Sequence, residues 1–158
     1  MKKVLLGSVA GFVIGAVVLG IAMFNMLPGM MLIENESRFD VDKTVQKLTQ
    51  SIEQSNWVVK QKYLLHKGAA KIGKLINPVV VIELGHAGHS STILKFDDYR
   101  STAVMMPARI AVYEKENDKV YISRIDLKLM GSMFGGVVKQ VMGEAQQEHD
   151  AIVKDVIN

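Results

Sequence analysis

From Val4 to Phe24 the chain carries no charged side chain, and Lys2 and Lys3 stand directly before the run. A helix over this stretch, at 1.5 Å of rise per residue, reaches about 30 Å, the thickness of a bilayer's hydrocarbon core. Such a run at the N-terminus, closed by Pro28-Gly29, points to a membrane-spanning helix over about residues 4–27. It divides the chain into an anchor, 1–29, and a domain, 30–158. The competing pattern is a cleaved signal peptide, whose apolar core is shorter, about 7–15 residues. Gly20-Ile21-Ala22 is a poor match to its small-x-small cleavage site, so the expectation is an uncleaved anchor. Lys2 and Lys3 then stay cytoplasmic, and the domain lies outside, periplasmic or extracellular.

Gly7, Gly11 and Gly15 recur every four residues and fall on one stripe of that helix. Small residues at this spacing let two helix backbones approach closely in lipid. Beyond the bilayer itself, the expected partner is therefore another membrane protein or a second copy of the chain. Glycine is also simply frequent in membrane helices, which is the plainer account of the stripe.

The absence of cysteine removes disulfides, thiolate catalysis, zinc fingers and covalent c-type haem from consideration. Two of the 19 basic residues precede the apolar run, leaving the domain with nearly as many acids, 16, as bases. That balance argues against a nucleic-acid binder, which needs a surplus of phosphate-neutralising cations. Between Gln54 and Ile82 there is no acid, while Lys60, Lys62, Lys67, Lys71 and Lys74 appear. Such a face suits anionic headgroups or an acidic partner, although lysines like these are more often simply solvated.

Met30 to Phe39 reads as a first strand. Asp40 is an N-cap for a helix whose apolar residues, Val41, Val45, Leu48 and Ile52, recur at helical spacing. Trp57 to Leu65 reads as a strand, and Lys67 to Asn77 holds a short helix before Pro78. The near-continuous apolar run from Val79 to Leu84 predicts a strand buried on both faces. Gly85 to His89 is expected to be a loop, with Ser90 or Ser91 capping a helix to about Tyr99. Ala108–Glu114 and Lys119–Leu127 are strands joined by a Glu116-Asn117-Asp118 turn. Leu129 to Gly136 is expected to be a glycine-rich loop before a long helix, Val137 to Ile157. This order implies an α+β domain, a mainly antiparallel sheet backed by helices, behind a single N-terminal transmembrane helix.

Several stretches carry a family resemblance: Val79-Val80-Val81-Ile82-Glu83-Leu84, Ser91-Thr92-Ile93-Leu94-Lys95, and Met106-Pro107-Ala108-Arg109-Ile110-Ala111-Val112-Tyr113-Glu114. Val120-Tyr121-Ile122-Ser123 and Leu129 to Gly136 follow in the same order. From about Met31 onward the chain resembles the domain of unknown function 302 family. The resemblance implies a compact α+β fold like the TATA-binding-protein arrangement, and a small binding module more than an enzyme. Many members of that family carry cysteine after the Ile-Glu strand and again after the proline of the Met-Pro segment. Here Gly85-His86-Ala87-Gly88-His89 and Ala108 stand in those places.

His86 and His89, three apart where a strand meets a helix, are placed to share one metal ion if the chain turns helically there. With Met106, and with Met105, Met130 and Met133 also near element ends, they make a ligand set suited to copper or noncovalent haem. Methionine is equally a flexible core filler, and two histidines alone fit an ordinary polar loop. His149 is expected to pack on the apolar stripe of the last helix, and His66 to be exposed. Met130, Met133 and Phe134, before Gly135-Gly136, form a candidate interface or ligand loop. Gly88-His89-Ser90 lacks the context of a hydrolase nucleophile elbow, and there is no phosphate loop or dinucleotide fingerprint. The chain is therefore expected to be a non-catalytic binding module, an accessory or assembly subunit of a membrane complex. The alternative is a periplasmic copper- or haem-binding protein using His86 and His89 with methionine.

Overall fold

The computed structural model describes residues 15–21, 25 and 29–158. The chain divides into two compact units, Met1–Leu32 and Ile33–Asn158. In the first, residues 15–21 are helical. Among the described residues no helix is long and apolar enough to cross a membrane. The expected single-pass anchor over 4–27 is thereby corrected, and the cytoplasmic N-terminus and periplasmic or extracellular domain that depended on it lose their support. Gly7 and Gly11 lie outside the described residues, and a Cβ at Gly15 meets nothing within 4 Å.

The second unit is α+β. Its elements are β1 (Leu32–Glu36), α1 (Val41–Glu53), β2 (Val58–Leu64), α2 (Leu65–Ala70), β3 (Val79–Gly85) and α3 (Ala87–Leu94). After a 3-10 segment (Asp97–Met105) come β4 (Ala108–Glu114), β5 (Val120–Ile125), α4 (Leu127–Phe134) and α5 (Gly136–Val153). The five strands form one sheet in the order β1-β5-β4-β3-β2. The three pairs from β2 to β5 are antiparallel, with a bulge in β2 between Val59 and Gln61.

Helices cover one face of the sheet. In β3 only Val80, Ile82 and Leu84 are buried, and they meet Ile110, Val112 and Ile122 of the next strands in a common core. The Val79–Leu84 run, expected to be buried on both faces, therefore alternates; the antiparallel sheet needs only one covered side. Onto that side α1 lays Leu48 and Ile52, and α5 lays Ala145, Ile152 and Val153. Asp40 caps α1, its carboxylate accepting from Lys43 N at 2.7 Å. A smaller core of Ile93, Val138, Val141 and Met142 joins α3 to α5.

Two local expectations change. The helix after β3 starts earlier than Ser90, because His86 itself is the N-cap: its Nδ1 accepts from His89 N at 3.0 Å. Leu129 to Gly136 is mostly helix. Asp126 caps α4 by accepting from Leu129 N at 2.7 Å, and that carboxylate outweighs the glycines. Gly135 and Gly136 have φ of +71° and +49°, the left-handed backbone that the turn between α4 and α5 requires. Gly131 lets those two helices touch: a Cβ there would sit 2.8 Å from Met142 Cβ and 3.2 Å from Lys139 Cα. Because Lys139 Cα is backbone, it cannot swing aside. Gly131→Ala is expected to cost about 1–3 kcal/mol of stability, read as a lower urea midpoint with unchanged slope.

Candidate functional site

The end of β3, the first turn of α3, the residue before β2 and the middle of α5 converge on one spot. His86 follows β3, His89 lies one turn into α3, Trp57 leads into β2, and Glu148 projects from α5. One ligand atom from each of His86, His89 and Glu148 lies within 4.8 Å of the others. His89 Nε2 stands 2.9 Å from Glu148 Oε2, and Trp57 Nε1 donates to the same oxygen at 2.7 Å. The two imidazoles stack with centroids 4.0 Å apart. Trp57, itself buried, presents its ring to both of them and, edge-on at 4.6 Å, to His149.

The hydrogen bonds settle the ring protons. His86 Nδ1 accepts a backbone N–H, so neutral His86 carries its proton on Nε2. His89 donates from Nε2 to the carboxylate, so in the neutral ring its Nδ1 is the acceptor, and in the protonated ring both nitrogens donate. Partial burial pushes the Glu148 carboxyl up. The hydrogen bonds from His89 and Trp57 and the charge of the two histidines outweigh it and hold the group below its ordinary value. Glu148 is thus a carboxylate at neutral pH, with two donors on one oxygen.

Beside this cluster a small cavity of about 60 Å³ is lined by His86, His89, Trp57, Met105 and Met106. The structure thus places Met106, with Met105, on the wall that the two histidines share. Met130 faces a neighbouring cleft, while Met133 and Phe134 are exposed at the end of α4. The hydroxyls of Ser90 and Ser91 donate to the carbonyls of His86 and Gly88, each at 3.0 Å, and so turn away from the imidazoles. His66 holds the backbone of Val79 through Nδ1 instead of standing free in solvent. The five lysines from Lys60 to Lys74 are exposed, and the side chain of Lys60 lies over Gly85, the residue before His86.

Glu148 and Trp57 are the site residues that the sequence did not mark. Glu148 lies 59 residues from His89 and belongs, in sequence, to an ordinary acidic helix face. Trp57 looks like a strand's first apolar residue. A weak signal did exist: Glu148 precedes a histidine on the stripe that packs on the sheet, so it starts from the edge of a buried face.

The profile of a family described as "Domain of unknown function DUF302" matches residues 33–156. A solved structure described as an uncharacterized conserved DUF302 protein from Bacillus stearothermophilus superposes with a TM-score of 0.71 at 16% identity. The match covers 79% of this chain and 97% of that one, and at this identity it speaks to the fold alone. No curated protein matches the chain.

His149, behind Trp57, ties stability to pH. Burial first, and the Arg124 guanidinium next, push it down to about 4 from 6.5. Between those values the unfolded chain binds a proton that the folded chain refuses. Stability is therefore full above pH 6.5 and falls as pH drops toward 4, by about 3 kcal/mol at 1.36 kcal/mol per unit. Urea unfolding at pH 7 and pH 4.5 checks this: the native chain is expected to lose about 2.5 kcal/mol more than His149→Gln.

Proposed function

Since the chain belongs to the domain of unknown function DUF302 family, whose description assigns no activity, we propose from the site itself that it is a small metal-binding module. It holds one divalent transition-metal ion on His86, His89 and Glu148. The observation that carries this is the convergence of two imidazoles and one carboxylate, from α3 with its cap and from α5, within 4.8 Å. A two-histidine, one-carboxylate set suits zinc or copper(II), both bound at about 2.0–2.1 Å to nitrogen and oxygen. Tetrahedral ligands at that bond length stand about 3.3 Å apart. The 2.9 Å between His89 Nε2 and Glu148 Oε2 is the separation of a pair sharing a proton. The ion replaces that proton as this pair opens by a few tenths of an ångström and the wider separations of the triad, up to 4.8 Å, close toward the same value.

Metal on either nitrogen of His86 ends its cap on α3. Bound at Nδ1, the ion takes the lone pair that accepts from His89 N; bound at Nε2, it drives the ring proton onto Nδ1. A cap is worth about 1 kcal/mol, far less than the roughly 10 kcal/mol of a strong protein–metal site. The exchange therefore favours the ion. Trp57 holds Glu148 in line through its indole N–H and screens the site from one side, as an outer partner of the ligands.

The site binds and does not catalyse. Its neighbouring serines, Ser90 and Ser91, donate their hydroxyls to backbone carbonyls and so present no nucleophile to the imidazoles. Haem is disfavoured as the occupant, because the cavity beside the histidines, about 60 Å³, is well below the roughly 300 Å³ at which ligand pockets begin.

Calorimetric titration with zinc and copper(II) tests the proposal. One equivalent is expected to bind, and copper(II) is expected to quench the fluorescence of Trp57, the chain's single tryptophan. His86→Ala/His89→Ala abolishes binding, and Glu148→Gln weakens it about 10–100-fold. Binding that persists unchanged in the double variant, or no stoichiometric binding by the native chain, overturns it.

A further inference from the structure

Between β2 and β3 the chain leaves the sheet for α2 and a loop, 71–77, and returns at Val79. His66 closes the neck of this excursion, its Nδ1 standing 3.0 Å from the Val79 carbonyl oxygen and 3.2 Å from the Val79 nitrogen. At the far end α2 stops in a glycine cap: Gly73 N donates to Ala70 O and Lys74 N to Ala69 O, each at 3.0 Å. Gly73 takes the left-handed φ of +73° that this cap demands. The excursion therefore has a built shape, held at its neck and at its tip.

What the tip holds out is apolar. Leu75 is 91% exposed, Ile72 75% and Ile76 52%. Large aliphatic side chains clustered in water mark a contact surface. Lys67, Lys71 and Lys74 are interleaved with them in the chain and are exposed too. No ion pair among the described residues includes any of these three lysines. Acids from other elements meet the excursion at its neck. There Asp40, Asp42 and Glu114 share a cleft with His66 and Lys67, and Glu114 and Glu116 share one with Asn77. Carboxylates resist leaving water, so the neck is the wet end and the tip the apolar one.

The residue types choose between partners. Protein interfaces favour aromatic residues, methionine and arginine, and are poor in lysine. Residues 67–77 hold no aromatic residue, methionine or arginine, but three lysines. Aliphatic tips with lysine suit a bilayer interface, where the tips enter the acyl boundary and the ammonium groups stay among anionic headgroups. A bilayer also needs no separate pocket for each projecting side chain.

We propose that the 67–77 excursion is a membrane-contact site, which docks the domain on the surface of a bilayer rich in anionic phospholipid. Ile72, Leu75 and Ile76 enter the acyl boundary, and Lys67, Lys71 and Lys74 meet the headgroup phosphates. The contact needs no spanning helix, and it does not depend on a metal at His86, His89 and Glu148.

The chain has no cysteine, so Leu75→Cys in the full chain carries a single environment-sensitive fluorophore at the tip. Val104→Cys, at a position 89% exposed on the 3-10 segment, carries the same probe as the control. Vesicles of phosphatidylcholine and phosphatidylglycerol in equal parts are expected to shift the emission at position 75 to the blue. Lipid brominated on its acyl chains is expected to quench it. Phosphatidylcholine alone at position 75, and either vesicle at position 104, are expected to give neither response. Lys67→Gln/Lys71→Gln/Lys74→Gln is expected to weaken binding to the anionic vesicles about 100-fold, at about fivefold per lysine. Ile72→Ser/Ile76→Ser is expected to weaken it by about tenfold or more. All five positions are exposed, and circular dichroism verifies that the variants stay folded. No shift at position 75 on anionic vesicles overturns the proposal. So does an equal shift on phosphatidylcholine alone, or unchanged binding in the lysine variant. A shift raised by soluble polyglutamate and not by vesicles assigns the surface to an acidic protein instead. Blue emission before lipid is added means that another part of the chain or a second copy covers the tip, which equally overturns it.

Discussion

The packing of α5 across one face of the sheet is the constraint on which the rest depends. Ala145, Ile152 and Val153 seat the helix on the β3, β4 and β5 core. Val138, Val141 and Met142 fasten its first half to α3. With the helix axis held in this way, two successive residues reach different places. Glu148 reaches past the sheet edge to Trp57 and His89, while His149 turns inward behind the indole. A rotation of α5 by one residue would withdraw the carboxylate from the histidines and break both arrangements at once. The glycine turn before α5 and the close approach at Gly131 set that rotation.

Trp57 joins the two halves of the site. Its ring contacts three histidines, and its N–H fixes one carboxylate oxygen. An aromatic body with a single polar handle suits this place, since most of its surface is buried while its donor still finds an acceptor. The carboxylate in turn stays ionised because two donors offset its burial. The polar cluster is therefore self-consistent around His86, His89 and Glu148. Among the described residues two buried atoms are left without a hydrogen-bond partner, His149 Nε2 and Arg124 Nε.

Much of the fold was legible locally. The cap at Asp40 and the spacing of Leu48 and Ile52 located α1, and the Glu116-Asn117-Asp118 turn located the β4–β5 hairpin. Local rules failed where a longer-range term competed. Val79–Leu84 looked buried on both faces because composition cannot count how many helices a sheet receives. The glycines of Leu129–Gly136 suggested a loop, yet Asp126 caps a helix through them and α5 packs against it at Gly131. His86 was a ligand candidate and not a cap candidate, since imidazole is not among the usual capping side chains. The apolar N-terminal run, the strongest feature of the sequence, is a statement of hydropathy; among the described residues it does not become a helix long enough to span a bilayer.

The sequence by itself determined the α+β element order, the near-neutral charge of the domain, the absence of thiol chemistry and the pairing of His86 with His89. These follow from composition and from contacts within a few residues, which local spacing controls. Only the tertiary structure decided that Glu148 and Trp57 complete the site and that His149 packs behind the indole of Trp57. Those partners are tens of residues apart in the chain. Their meeting depends on the seat and rotation of α5 on the sheet, a packing outcome that no single segment encodes.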